Sequence, residues 1–134
     1  MDYQEFLQKK IKKHILSGFN ISEDKLNKHL FPFQKFIIKK ALNAGKYAVF
    51  ADCGLGKTLI QLEWANQVSR HTGKPVLILT PLAVSGQTIQ EGQKFGIEVV
   101  RYNGSDAPIQ ITNYEQIENI DCSIFSGIVL DSLP

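Results

Sequence analysis

The residues with the clearest chemistry form one octapeptide, Ala51-Asp52-Cys53-Gly54-Leu55-Gly56-Lys57-Thr58. Glycines at 54 and 56 free the backbone to curl, so that successive N–H groups from Asp52, Cys53, Gly54 and Leu55 onward can converge on one anion. A helix opening directly behind such a turn adds the partial positive charge of its N-terminus. Lys57 then suits the terminal phosphates of a nucleoside triphosphate, and the Thr58 hydroxyl suits a Mg²⁺ ion riding on them. The strict form of this cradle begins with Gly, and here Ala51 stands in that place. Cys53 reads either as a redox target or as an inert small residue, and the second reading is the simpler.

A cradle of this kind needs a buried strand before it and a helix behind it. The pattern supplies both, with an apolar strand over 47–51 and a helix over 58–71 that places Ile60, Trp64 and Val68 on one stripe. Further alternation follows: strands at 76–80, 98–102, 109–112 and 127–131, and helices at 83–95 and 114–120. A polar turn at 103–108 separates the third strand from the fourth. Strands separated by helices predict right-handed crossovers and a mainly parallel sheet of about five strands, covered on both faces. Upstream, apolar residues at 3, 7, 11 and 15 predict a one-faced helix over 3–17 that Gly18 stops. Ser22 is the expected N-cap of a helix over 23–30. Pro32 marks the start of another over 33–43, with Phe36, Ile37, Ala41 and Leu42 inward and Gly45 as its stop. The division is thus a basic helical leader, 1–31, and an α/β domain, 32–134.

Composition narrows the classes. No apolar run approaches the roughly 20 residues of a membrane span, and the charged first residues lack the apolar core of a secretion signal. A cytoplasmic protein with no membrane partner is expected. Two cysteines, Cys53 and Cys122, make no disulfide framework, and no Cys/His cluster has zinc-ligand spacing. His14, His29 and His71 have no partner pattern and read as surface residues. Charge is uneven: residues 1–40 hold nine Lys against four acids, whereas the remainder is net acidic. That front fits a phosphate backbone as partner, or simply a solvated helix face.

Ala-x-x-Gly-x-Gly-Lys-Thr resembles motif I of superfamily 2 helicases and translocases, and other segments follow in the matching order. Leu30-Phe31-Pro32-Phe33-Gln34 resembles the Q-motif region, which implies that Gln34 reads the adenine edge; taken alone, Gln34 is a surface glutamine on a helix. Leu77-Ile78-Leu79-Thr80-Pro81-Leu82 is similar to motif Ia, and Ile111-Thr112-Asn113-Tyr114-Glu115 to the Ile-Thr-x-Tyr-Glu segment of the chromatin-remodeller-like branch. The resemblance implies that Thr80, Pro81, Leu82, Thr112 and Asn113 contact a nucleic-acid backbone, positioning a strand without reading its sequence. It covers essentially the whole chain and is nearest to phage or prophage members. It implies a P-loop, RecA-like fold that is incomplete at this length, with ATP and Mg²⁺ as cofactors and DNA as partner; RNA would fit the same contacts.

Motif II should follow the last strand as Asp-Glu. The sequence reads Leu130-Asp131-Ser132-Leu133-Pro134, so the resemblance gives Asp131 a share of the Mg²⁺, through water, but supplies no Glu to polarise the attacking water. Ser132 has no useful basicity, and loss of a general base costs about 10²–10⁴ in rate. The resemblance also implies a second motor domain, whose arginines the family uses at the transferring phosphoryl and which another chain could supply. The expectation is an ATP-binding lobe of a DNA helicase or translocase, not hydrolytically competent alone. The alternative is a non-catalytic nucleic-acid- or partner-binding module on the same scaffold. A small P-loop kinase is disfavoured, because its lid needs arginines and only Arg70 and Arg101 exist. With the sheet incomplete, the strand before the cradle is expected at an uncovered edge, inviting self-association.

Overall fold

A computed structural model describes residues 18–45, 47–49 and 57–131. The expected helix over 3–17, the cradle residues Ala51 to Gly56, and Ser132 lie outside the described residues. Among the described residues three α-helices, α1 (Pro32–Ala44), α2 (Lys57–Thr72) and α3 (Ser85–Lys94), accompany five strands: β1 (Tyr47–Val49), β2 (Val76–Thr80), β3 (Val100–Arg101), β4 (Ile109–Asn113) and β5 (Gly127–Leu130). All pairings are parallel, in the order β1-β5-β2-β4-β3. The α/β class and the parallel sheet are as the sequence predicts. Among the described residues no helix is long and apolar enough to cross a membrane.

The pleat divides the core in two, because successive strand residues face opposite sides. Val76 and Ile78 of β2 join Ile109, Ile111 and Val129 beneath Ile38 and Leu42 of α1 and Ile60, Trp64 and Val68 of α2. Leu77, Leu79, Ile128 and Leu130 face the other way, against Tyr114, Ile117, Ile120, Cys122 and Phe125. That second cover is not an α-helix: 114–120 forms a 3₁₀ turn at Tyr114–Asn119, followed by another at Cys122–Ile124. Six residues with no side-chain cap are too few to hold an α-helix, so the tighter turn suffices to lay Tyr114 and Ile117 on the sheet.

Two further expectations are corrected. The helix over 23–30 is a single 3₁₀ turn, Glu23–Lys25, with no side-chain cap from Ser22. The chain there is held from outside itself. Buried Glu63 of α2 accepts from the Asn27 backbone N–H and from Gln67 Nε2, while Asn27 Nδ2 donates to the Phe95 carbonyl. Within α1, Leu42 is buried and Ile37 and Ala41 pack against the core as expected, but Ile38 is the other fully buried residue and Phe36 is 61% exposed. The helix is apolar around more than half its girth, so its phase is set by contact with α2 rather than by its own pattern. Gly45, at φ 152°, ends α1 where a side chain would be strained. Gly18 passes so close to that end that a Cβ would fall 2.1 Å from the Asn43 carbonyl oxygen. Beside it, Phe19 N–H donates to the Leu42 carbonyl at 3.0 Å.

Candidate phosphate and magnesium site

In a parallel sheet the carboxyl ends of all strands share one edge, and the helices that follow start there. Lys57 and Thr58 open α2 at that edge, both half-buried. Asp131 follows the last residue of β5 and is 2% exposed. Lys57 Nζ lies 2.7 Å from Asp131 Oδ1. The two residues assigned the central roles from sequence are therefore in direct contact. Burial of a carboxylate is costly unless it is paired, and Lys57 provides that pairing.

Asp131 is also fixed through its backbone. Its N–H donates to the Leu79 carbonyl at 2.9 Å, and the Tyr114 hydroxyl donates to its carbonyl at 3.0 Å. Tyr114 stood within the Ile-Thr-x-Tyr-Glu segment, yet nothing in the spacing revealed that its hydroxyl reaches β5. Gln61, one turn along α2 from Lys57, is fully buried, and neither Oε1 nor Nε2 finds a hydrogen-bond partner. Nothing in the sequence pattern sets it apart from Gln67 on the same helix.

Registers align the other expected residues along the same edge. Leu79 pairs with Leu130 and Thr80 with Asn113, which places Asp131, Thr80 and Asn113 in a row across β5, β2 and β4. Two strand spacings, about 10 Å, separate its ends. Thr80 is completely buried, and its hydroxyl donates to the Pro81 carbonyl at 3.1 Å. It shapes the strand end rather than offering a free hydroxyl. Leu82 is 63% exposed, while Thr112 and Asn113 are half-buried, and Asn113 Oδ1 is a buried acceptor without a partner.

Gln34 sits apart from this row, in the first turn of α1. Its Oε1 accepts from the Phe31 N–H at 2.7 Å, while its own N–H donates to the Phe31 carbonyl. The carboxamide oxygen caps its own helix, and at 4% exposure Gln34 is not the surface glutamine that its helical position alone suggests.

Among the described residues no three His, Cys, Asp or Glu side chains cluster as a metal cage. The donors present, one hydroxyl and one carboxylate, fit Mg²⁺ of the kind that arrives with a nucleotide, retaining waters and phosphate oxygens as most of its ligands. His29 and His71 are exposed, and His71 stacks flat on Phe19 at 3.8 Å between centroids. Compared with models of known protein families the chain matches none, and no curated protein is significantly similar to it.

Proposed function

We propose that this chain is the Mg²⁺-ATP-binding lobe of a DNA helicase or translocase of the superfamily 2, RecA-like type. One observation carries the reading: the Lys57–Asp131 pair at 2.7 Å, set where a helix N-terminus meets the carboxyl edge of a parallel sheet. In this role Lys57 holds the β- and γ-phosphates, while Thr58 and Asp131 hold the ion, Asp131 through water. Mg²⁺ would supply neutralisation of charge on the phosphate oxygens. Phosphate in place of the carboxylate for Lys57, and the hydrated ion in place of the ammonium for Asp131, leave each charge with an opposite partner. The exchange therefore avoids stranding Asp131 in its buried position.

A nucleic-acid strand laid across Pro81, Leu82, Thr112 and Asn113 would lie within about 10 Å of Asp131, since those residues end the neighbouring strands. Such proximity is what coupling of nucleotide state to strand grip requires. With Ser132 where the resembled motif has Glu, the lobe binds nucleotide and hydrolyses it poorly by itself. Calorimetric titration with ATP and Mg²⁺ tests the reading. Wild-type protein should bind in the micromolar-to-millimolar range, and Lys57→Ala should abolish binding while leaving DNA affinity largely intact. No binding by the wild type at millimolar ATP would leave only the scaffold as a non-catalytic module.

A further inference from the structure

The structure carries a second surface that the phosphate site does not use. The exposed arc of α1 presents Phe33, Phe36, Lys39, Lys40 and Asn43, with Phe31 at the helix entrance. Phe31, Phe33 and Phe36 are 64%, 52% and 61% exposed, making them three of the five large apolar side chains most open to solvent among the described residues. Phe31 and Phe33 stack on each other at 6.3 Å, and Lys40 Nζ stands 5.5 Å from the centre of the Phe36 ring. No acidic residue occurs between Phe31 and Ala44. Beside Phe36, a shallow cleft of about 240 Å³ is lined by Asn20, Glu23, Phe36, Lys39, Lys40 and Asn43. Glu23 is the one acid on its rim.

Three exposed phenyl rings interleaved with lysines have a costly arrangement in water and a specific use. Rings give a π-face to any base irrespective of its identity, and ammonium groups spaced along the same ridge meet the phosphates between bases. Charge selects among occupants. Residues 1–17 carry Lys9, Lys10, Lys12 and Lys13 against Asp2 and Glu5, the same sign as the patch, so the leader is a poor cover for it. A polyanion with flat, apolar faces is the complementary one.

We propose that the Phe31–Phe33–Phe36 face of α1 is a binding site for single-stranded nucleic acid, held by base stacking with Lys39 and Lys40 on the phosphates. It stands on the α1 face alone and does not depend on nucleotide binding at Lys57. Fluorescence anisotropy with labelled oligothymidylate and with a duplex, each over a salt series, tests it. Wild-type protein should prefer the single strand. Phe36→Leu keeps the site apolar but removes the π-face, and should weaken binding about tenfold, while Phe36→Trp should hold or tighten it. Lys39→Gln with Lys40→Gln should flatten the salt dependence by about one to two phosphate contacts. Since the rings are exposed, melting temperatures should match wild type. Oligonucleotide affinity unchanged in Phe36→Leu and in Phe33→Ala, or equal affinity for the duplex, overturns the proposal. So does loss of self-association in Phe36→Leu when the wild type binds no oligonucleotide, which would make this face a contact between copies of the chain.

Discussion

Lys57 in the first turn of α2 and Asp131 just past β5 meet at 2.7 Å, with the carboxylate 3% exposed and the lysine side chain 25% exposed. The pair fastens the start of a helix to the end of a strand, so it has a structural share besides any chemical one. Removing one partner of a buried pair typically costs about 3–5 kcal/mol, and exposure of a quarter of Lys57 lowers the expectation to about 2 kcal/mol.

Lys57→Ala should therefore lower unfolding stability in urea by about 2 kcal/mol as well as remove ATP binding. Asp131→Asn should cost less, because no charge is left buried. The double variant Lys57→Ala/Asp131→Asn should be more stable than Lys57→Ala alone, since the stranded carboxylate is gone. Strictly additive losses in the cycle would mean that the pair contributes no coupling.

Tyr114 anchors Asp131 through a single hydroxyl, donated to the Asp131 carbonyl at 3.0 Å from a ring that is 2% exposed. Tyr114→Phe keeps the ring in the second core and leaves that carbonyl one donor short. A stability loss of about 1 kcal/mol is expected, with ATP affinity reduced because Asp131 is less firmly placed. Equal affinity and stability in the variant would show that the other contacts of Asp131, the Leu79 carbonyl and Lys57 among them, suffice to position it.

Gln61 predicts the opposite sign. Its carboxamide is buried with both polar atoms lacking partners, a burden of about 1–3 kcal/mol. Gln61→Met conserves length and removes the polar group. Chemical denaturation should show the variant more stable by about 1 kcal/mol, with ATP affinity unaltered. A destabilised Gln61→Met protein would indicate that the site tolerates the amide better than the apolar replacement.

How much of this was legible beforehand differs by element. β2 was read at its true bounds, 76–80, because an uninterrupted apolar run between turn residues is what a strand buried on both faces requires. The stripe of Ile60, Trp64 and Val68 was equally readable, and all three are fully buried. Of the inward set expected for α1, Leu42 is buried and Ile37 and Ala41 pack against the core, whereas Phe36 faces solvent and Ile38 takes the inner place, because the apolar residues of α1 leave its phase open. The helix expected after Ser22 failed for a reason no local window contains, since Glu63, far along the chain, takes the Asn27 N–H. In the candidate site, motif order singles out Lys57 and Asp131, which the structure brings into contact. Gln34 is expected at an adenine edge, and the bond its oxygen accepts from the Phe31 N–H has no part in that expectation. The Tyr114 hydroxyl bond, linking a side chain to a distant carbonyl, has no spacing signature at all.

β1 raises a final expectation about solution behaviour. Among the described residues it pairs only with β5 and lies at one end of the sheet, so its outer row of backbone N–H and C=O groups meets no neighbouring strand there. An edge of that kind adjoining the site strand favours pairing with a second copy. Sedimentation velocity over a concentration series should show reversible self-association, and amide exchange at residues 47–49 should slow as concentration rises. The exchange measurement separates this edge from the α1 face, because association through Phe36 would leave the β1 amides unprotected. A species that stays monomeric throughout and melts at high temperature would show that the edge is already protected within one chain.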